Sequence, residues 1–197
     1  MGYHRAGFDV TGVDINAQPH YPSSESMRFI QADAMTFPLE GYDAYHASPP
    51  CQRHSRQSNC RPGLAGTYPD FIEAIRARLE ATGKPYVIEN VPGAPLRDPI
   101  KLCGWTFNRE TYRHRHFESN VPIVEPEHRP HTTPASKAAH WVPGTFVSVA
   151  GHCSPIALCR EVMDIDWMPR NELAEAIPPY FTHHVGYHLK RAIQHSA

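Results

Sequence analysis

A cysteine behind two prolines, a glutamate set in an apolar run and two closely spaced arginines are the residues of this sequence whose types could do chemistry together. Cys51 lies in Ser48-Pro-Pro-Cys-Gln-Arg-His-Ser55, Glu89 in Val87-Ile-Glu-Asn-Val91, and the arginines in Arg113-His-Arg115. A cysteine thiolate is accessible near neutral pH and strongly nucleophilic, so Cys51 suits addition to an electron-poor carbon. Such an addition leaves negative charge on the acceptor, and a carboxyl in a partly desolvated pocket has the proton affinity to neutralise it. Glu89 is the candidate acid. Arg113 and Arg115 read on their own as phosphate contacts or as solvated strand residues.

The elements that must position these residues read as strands with functional groups at their carboxyl ends. Val10-Thr-Gly-Val-Asp-Ile15 and Phe29-Ile-Gln-Ala-Asp33 are short apolar runs, each with an acid at the end, and the first is expected to be buried on both sides. Residues 42–48 form a third strand that runs into Pro49-Pro50 and delivers Cys51 to the edge where open α/β sheets bind ligands. Thr67 is placed to cap a following helix in which Phe71, Ile75 and Leu79 fall four apart, and Gly83 ends it. Residues 85–91 then form a strand with Glu89 near its end. Strand, helix, strand is the unit of a parallel sheet. Residues 111–117 and 145–149 are expected as further strands, and 171–177 and 181–193 as helices covering the sheet.

The Pro-Cys-Gln, Glu-Asn-Val and Arg-x-Arg segments, in that order, resemble motifs of the DNA cytosine-5 methyltransferases. The resemblance implies a class I, Rossmann-like α/β fold, a mostly parallel sheet with helices on both faces. It implies S-adenosylmethionine as cofactor, DNA as partner, and methyl transfer to carbon 5 of a cytosine flipped out of the duplex. In that scheme Cys51 adds to carbon 6 of the ring, Glu89 protonates ring nitrogen 3, Arg115 bonds the cytosine carbonyl oxygen and Arg113 supports the pocket and the cysteine loop. Pro50 fixes the direction of Cys51, and Asn90 holds backbone around the site. Asp14 corresponds to the acid for the cofactor ribose and Asp33 to the acid for its adenine amino group, with Ile15 and Ala34 beside them. Gln52, Arg53, Ser55, Arg56 and Arg61 fall on the loop that would close over DNA. The segment Ile177-Pro-Pro-Tyr-Phe-Thr-His-His-Val-Gly186 is similar to small phage-type members, as expected of a cytoplasmic enzyme of a bacterial or phage-infected cell, in restriction protection or other DNA modification.

The resemblance departs from the family in two places. The family's first strand and Gly-rich turn, just ahead of the equivalent of residues 2–8, have no counterpart, so an upstream segment or a partner is expected to supply them. The target-recognition segment is confined to some forty proline-rich residues. The expected organisation is a catalytic and cofactor-binding core over 1–117, a short recognition segment over 118–157 and carboxyl-terminal helices over 158–197.

Composition agrees with a single main core: the chain has 197 residues, 41% of them hydrophobic. No apolar run approaches the roughly 18–20 residues that a membrane span needs, and the amino end lacks a signal core, so neither a membrane nor export is expected. Five unevenly spaced cysteines do not form a disulfide framework, and those other than Cys51 read as structural. The fourteen histidines make no zinc signature in the sequence, so no metal is expected. His116-Phe117-Glu118 has the His-x-Glu form of zinc deaminases but lacks their downstream cysteine pair. From 51 to 69 there are three arginines and no acid, which suits a polyanion or a solvated loop equally. Two rivals to the methyltransferase reading stand beside it: a pyrimidine nucleotide carbon-5 modifier, and a non-catalytic DNA-binding remnant.

Overall fold

Six strands among the described residues fall into two sheets. A computed structural model of the chain describes residues 1–55, 65–137, 140–151 and 153–196. Among these, β1 (Val10–Asp14) pairs in parallel with β2 (Met27–Gln31), in register from Val10 with Met27 to Asp14 with Gln31. The second sheet has the order β3-β4-β6-β5, with β3 (Tyr45–Ala47), β4 (Tyr86–Asn90), β5 (Ile100–Leu102) and β6 (Arg115–Ser119). In it β3 and β4 are parallel, whereas β4 with β6 and β5 with β6 are antiparallel.

This overturns the expected Rossmann-like, mostly parallel sheet with helices on both faces. Hydrophobic period identifies a strand but not its neighbour. A parallel neighbour requires a long crossover connection, and helix α2, described below, supplies one between β3 and β4. The connections among β4, β5 and β6 hold nothing longer than a 3₁₀ turn, Gly104–Phe107, and those strands pair antiparallel.

The described residues form two units. The first comprises Met1–Phe37, Cys103–Arg113 and Pro126–Tyr187, and the second Pro38–Leu102, His114–Glu125 and His188–Ala197. In the first unit, helix α1 (Gly2–Arg5) precedes β1. The strand β1 is half-buried along its length, not buried on both sides as its sequence suggested. Gly12 is required there, because a Cβ would come within 2.7 Å of the Tyr21 ring, which packs on Phe29 at 5.5 Å. The core lies elsewhere in the unit: Val147, Val149 and Cys153 pack with Cys159, Val162 and Met163 of α3 (Ile156–Met163) and Leu173 of α4 (Arg170–Glu175). The expected strand over 145–149 is absent. Phe146, Val147 and Val149 are buried, but one isolated bridge from Phe146 to Ala135 is the only ladder contact of the segment among the described residues. Pro134 and Pro143 lack the N–H groups that a ladder on either side would use. The chain ends in helix α5 (Pro179–Ser196).

In the second unit, Leu79, Tyr86 and Ile88 form a core with Leu39, Tyr45, Ala47, Ile75 and Leu96. Helix α2 (Ile72–Glu80) contributes Ile75 and Leu79 at the predicted spacing, and Gly83 follows with a φ of 66°. Thr67 does not cap it; it sits in a 3₁₀ turn, Ala65–Thr67, and the Asp70 carboxylate accepts from the Ile72 N–H at 3.2 Å. No helix among the described residues is long and apolar enough to cross a membrane.

One buried cation fastens α2 to the sheet. Arg76 is fully buried and donates to both Glu118 oxygens, at 2.6 and 2.7 Å, and to the Pro95 carbonyl at 3.0 Å. Glu118 also accepts from the Arg97 N–H at 2.7 Å. Burial alone would raise the Glu118 carboxyl, but these bonds outweigh it and hold the group below its ordinary range. The stabilisation is therefore present above about pH 4.3, the unfolded value, and is lost as pH falls through the lowered folded value. Glu118→Ala, which strands Arg76 without its partner, should cost about 3–5 kcal/mol in urea unfolding. The pair replaced together, Arg76→Met with Glu118→Leu, should cost less than that single change.

Candidate active site

All five residues of β4 are buried, the last two of them polar, Glu89 and Asn90. Buried polar groups persist only with partners. Glu89 Oε1 lies 2.9 Å from Arg115 Nε, with both side chains largely enclosed. The pairing follows from register: Glu89 stands opposite Phe117 on β6, and Arg115, two residues from Phe117, lies on the same face. Arg115 also donates to the His114 carbonyl at 3.1 Å. Asn90 Nδ2 donates to the Pro49 carbonyl at 3.0 Å, and its Oδ1 accepts from the Val91 N–H at 2.9 Å.

The Asn90–Pro49 bond joins the two segments singled out in the sequence. β3 runs parallel to β4, Ala47 beside Ile88, so Ser48-Pro49-Pro50-Cys51 leaves the sheet at the edge where Glu89 and Asn90 end β4. Cys51 starts the 3₁₀ turn Gln52–His54 and is half-buried. The other described cysteines, Cys103, Cys153 and Cys159, are buried. Burial and the neighbouring Cys153 push the Cys159 thiol up to about 12, so that sulfur is inert as a nucleophile near neutral pH. Cys51 has the access that a nucleophile needs.

Arg113 and Arg115 part company. Arg113 falls in the first unit, where its guanidinium donates to the carbonyls of Val149 at 2.5 Å, Ala174 at 3.0 Å and Ala176 at 2.5 Å. It thereby ties the carboxyl end of α4 to the core of that unit, a place where cations are favoured.

The residues expected to meet DNA are described in part. Arg53 donates to the Tyr68 carbonyl at 2.8 Å and lies 3.7 Å from the Asp70 carboxylate. His54 Nε2 is 3.4 Å from the same carboxylate. Gln52 is exposed, and Ser55 donates to the Gln52 carbonyl at 3.4 Å. Arg56, Arg61 and Cys60 lie outside the described residues.

The candidate cofactor residues lie in the first unit. Asp14 ends β1, and Asp33 follows β2 by two residues, at the same end of the parallel pair. Each carboxylate accepts from the amide two residues ahead, Asn16 for Asp14 and Met35 for Asp33, both at 2.8 Å. Ile15, beside Asp14, is 64% exposed, an apolar surface next to an acid. Ala34 is exposed as well.

His46 was missed in the sequence, where it looks like one more histidine among fourteen. It lies on β3, its ring 6.4 Å from that of Phe117, with Nε2 2.8 Å from the Ser48 hydroxyl that opens the cysteine segment. Only its place on the strand that leads into the Cys51 segment could have marked it.

Compared with known proteins, the chain matches no family model and no curated sequence.

Burial pushes the His46 imidazole down to about 4. The unfolded chain, with an ordinary value near 6.5, binds the proton first, so this group should withdraw stability as pH falls from about 6.5 towards 4. A histidine-resolved NMR titration should find His46 neutral at pH 6. His46→Gln should flatten the acid limb of the stability profile over that window, and titration of His46 near 6.5 would contradict the account.

Proposed function

We propose that the chain transfers a methyl group from S-adenosylmethionine to carbon 5 of cytosine in DNA through a covalent adduct with Cys51. The observation that carries this reading is the meeting of Cys51's segment with the Glu-Asn end of β4 through the Asn90–Pro49 bond, with Arg115 on Glu89. A half-buried thiol, an enclosed carboxyl and a guanidinium at one sheet edge are the groups that addition to a pyrimidine ring demands.

Carbon 5 of cytosine is too weak a nucleophile to be methylated directly. In the proposed reaction the Cys51 thiolate adds its electron pair to carbon 6, and the negative charge spreads onto carbon 5 and ring nitrogen 3. Glu89 supplies a proton to nitrogen 3. Arg115 turns from Glu89 to the ring carbonyl oxygen, which frees the carboxyl for that transfer and gives the oxygen a charged donor. After methylation, loss of the carbon 5 proton to a base expels the thiolate, and ring nitrogen 3 returns its proton to the Glu89 carboxylate, which restores the neutral aromatic ring. Asn90, by fixing Pro49, keeps the Pro-Pro-Cys turn from drifting, a positioning role in which small errors of distance are costly.

The residues of the first unit fit the cofactor. Asp14 offers a carboxylate to ribose hydroxyls, exposed Ile15 an apolar surface to a purine, and Asp33 an acceptor for an amino group. S-adenosylmethionine, when bound, supplies the electrophilic methyl group.

Duplex DNA in which cytosine is replaced by 5-fluorocytosine should trap the protein in a denaturant-resistant adduct when cofactor is present, because fluorine cannot leave as the proton does. Peptide mapping should find the adduct on Cys51, and Cys51→Ala should abolish it. Trapping that persists in that variant removes the assignment, and an absence of both trapping and cofactor binding favours a DNA-binding remnant.

Glu89→Gln should slow single-turnover methyl transfer about a hundredfold or more while DNA affinity stays within a few-fold. The readout is kinetic, with a thermal melt alongside; an equal loss of fold would reassign Glu89 to structure.

A further inference from the structure

Cys103, His128 and His131, all in the first unit, bring their ligand atoms within 4.8 Å of one another. We propose that these three side chains bind a zinc ion, a site independent of the methyl-transfer chemistry. Cys103 Sγ stands 3.5 Å from His131 Nε2. Zinc with bonds of about 2.3 Å to sulfur and 2.0–2.1 Å to nitrogen in tetrahedral geometry separates such atoms by about 3.6 Å. One thiolate and two imidazoles form a donor set that suits zinc and not magnesium or calcium, and a fourth position is left for water or a further donor.

The ligands are held before any ion arrives. Tyr112 stacks on the His131 ring, centroids 3.6 Å apart and planes 17° from parallel, and its hydroxyl donates to the Thr133 carbonyl at 2.5 Å. The Gly104 N–H, next to Cys103, donates to the Tyr112 carbonyl at 3.1 Å. Gly104 is itself required, since a Cβ would come within 2.4 Å of the Thr111 carbonyl oxygen. Of the two residues between the histidine ligands, the charged one is turned aside: Arg129 lies over the Trp105 ring at 5.2 Å and donates to Asn108 at 2.8 Å, which keeps its charge occupied away from a cation. Residues 126–134 contain no helix or strand. A metal clip from Cys103 to His128 and His131 closes a long loop, where a cross-link stabilises most. Binding exchanges the thiol proton for the metal: Zn²⁺ and the Cys103 thiol give a zinc thiolate and one released proton.

The test uses the full chain without a histidine tag, stripped with chelator and titrated with Co²⁺ and then Zn²⁺. The expected result is one Co²⁺ per chain, with a sulfur-to-cobalt charge-transfer band in the near ultraviolet and the strong visible bands of a tetrahedral site, displaced by one equivalent of Zn²⁺. Cys103→Ser should remove the charge-transfer band, whereas Cys51→Ala should leave it. His128→Ala and His131→Ala should each weaken binding more than about a hundredfold, beyond the 10–100-fold that loss of an outer partner costs. Because Cys103 is buried and its replacement could unfold the chain, the exposed His131→Ala decides the matter alone. Unchanged cobalt affinity in that variant, a charge-transfer band that survives Cys103→Ser, or no binding by the parent chain would each overturn the proposal.

Discussion

Two polar side chains buried at the end of a central strand set the terms for the second unit. β4 lies between a parallel and an antiparallel neighbour and is enclosed along its whole length, so a carboxylate and an amide there can exist only if the surrounding segments come to them. β6 brings Arg115 to Glu89, and the turn after β3 brings the Pro49 carbonyl to Asn90. The direction in which Cys51 leaves the sheet is thus fixed by the needs of β4 as much as by its own prolines. Both polar residues thus help to fix which segments pack around β4.

Enclosed charge recurs at Arg76 and Glu118, where it fastens a helix to the sheet. That pair, with Glu73, the Arg97 N–H and the Pro95 carbonyl around it, joins α2 to β6, the strand that carries Arg115. It also disposes of the His-x-Glu segment as a deaminase signature. The Glu118 carboxylate is committed to the Arg76 guanidinium and the Arg97 backbone N–H.

The first unit solves a different problem, how to organise a proline-rich stretch with little regular structure. Its core comes from Val147, Val149 and Cys153 packing on short helices, and Arg113 gathers three backbone carbonyls that would otherwise compete for solvent. Stacked rings and a rigid turn around Cys103 complete the arrangement. Such a unit relies on side-chain contacts where other proteins use ladders. Its architecture therefore depends on particular residues more than on hydrophobic pattern.

What the sequence determined by itself is local. The apolar runs ending in Asp14 and Glu89, the step of four through Ile75 and Leu79 and the stiff Pro-Pro pair before Cys51 all form as their patterns require, because strand and helix period, turn chemistry and proline geometry act over a few residues. Pairing was beyond its reach. That β6 runs against β4, that the two sheets remain separate among the described residues, that β1 is only half-buried, and that 145–149 is buried without becoming a strand all depend on which segments meet. The same holds for the site. Residue types marked Cys51, Glu89 and Arg115, but the Asn90–Pro49 bond, the removal of Arg113 to another unit and the approach of Cys103 to His128 and His131 come from tertiary contacts between residues far apart in the chain. Spacing along a sequence records such contacts only when both partners sit on one regular element, and here they do not.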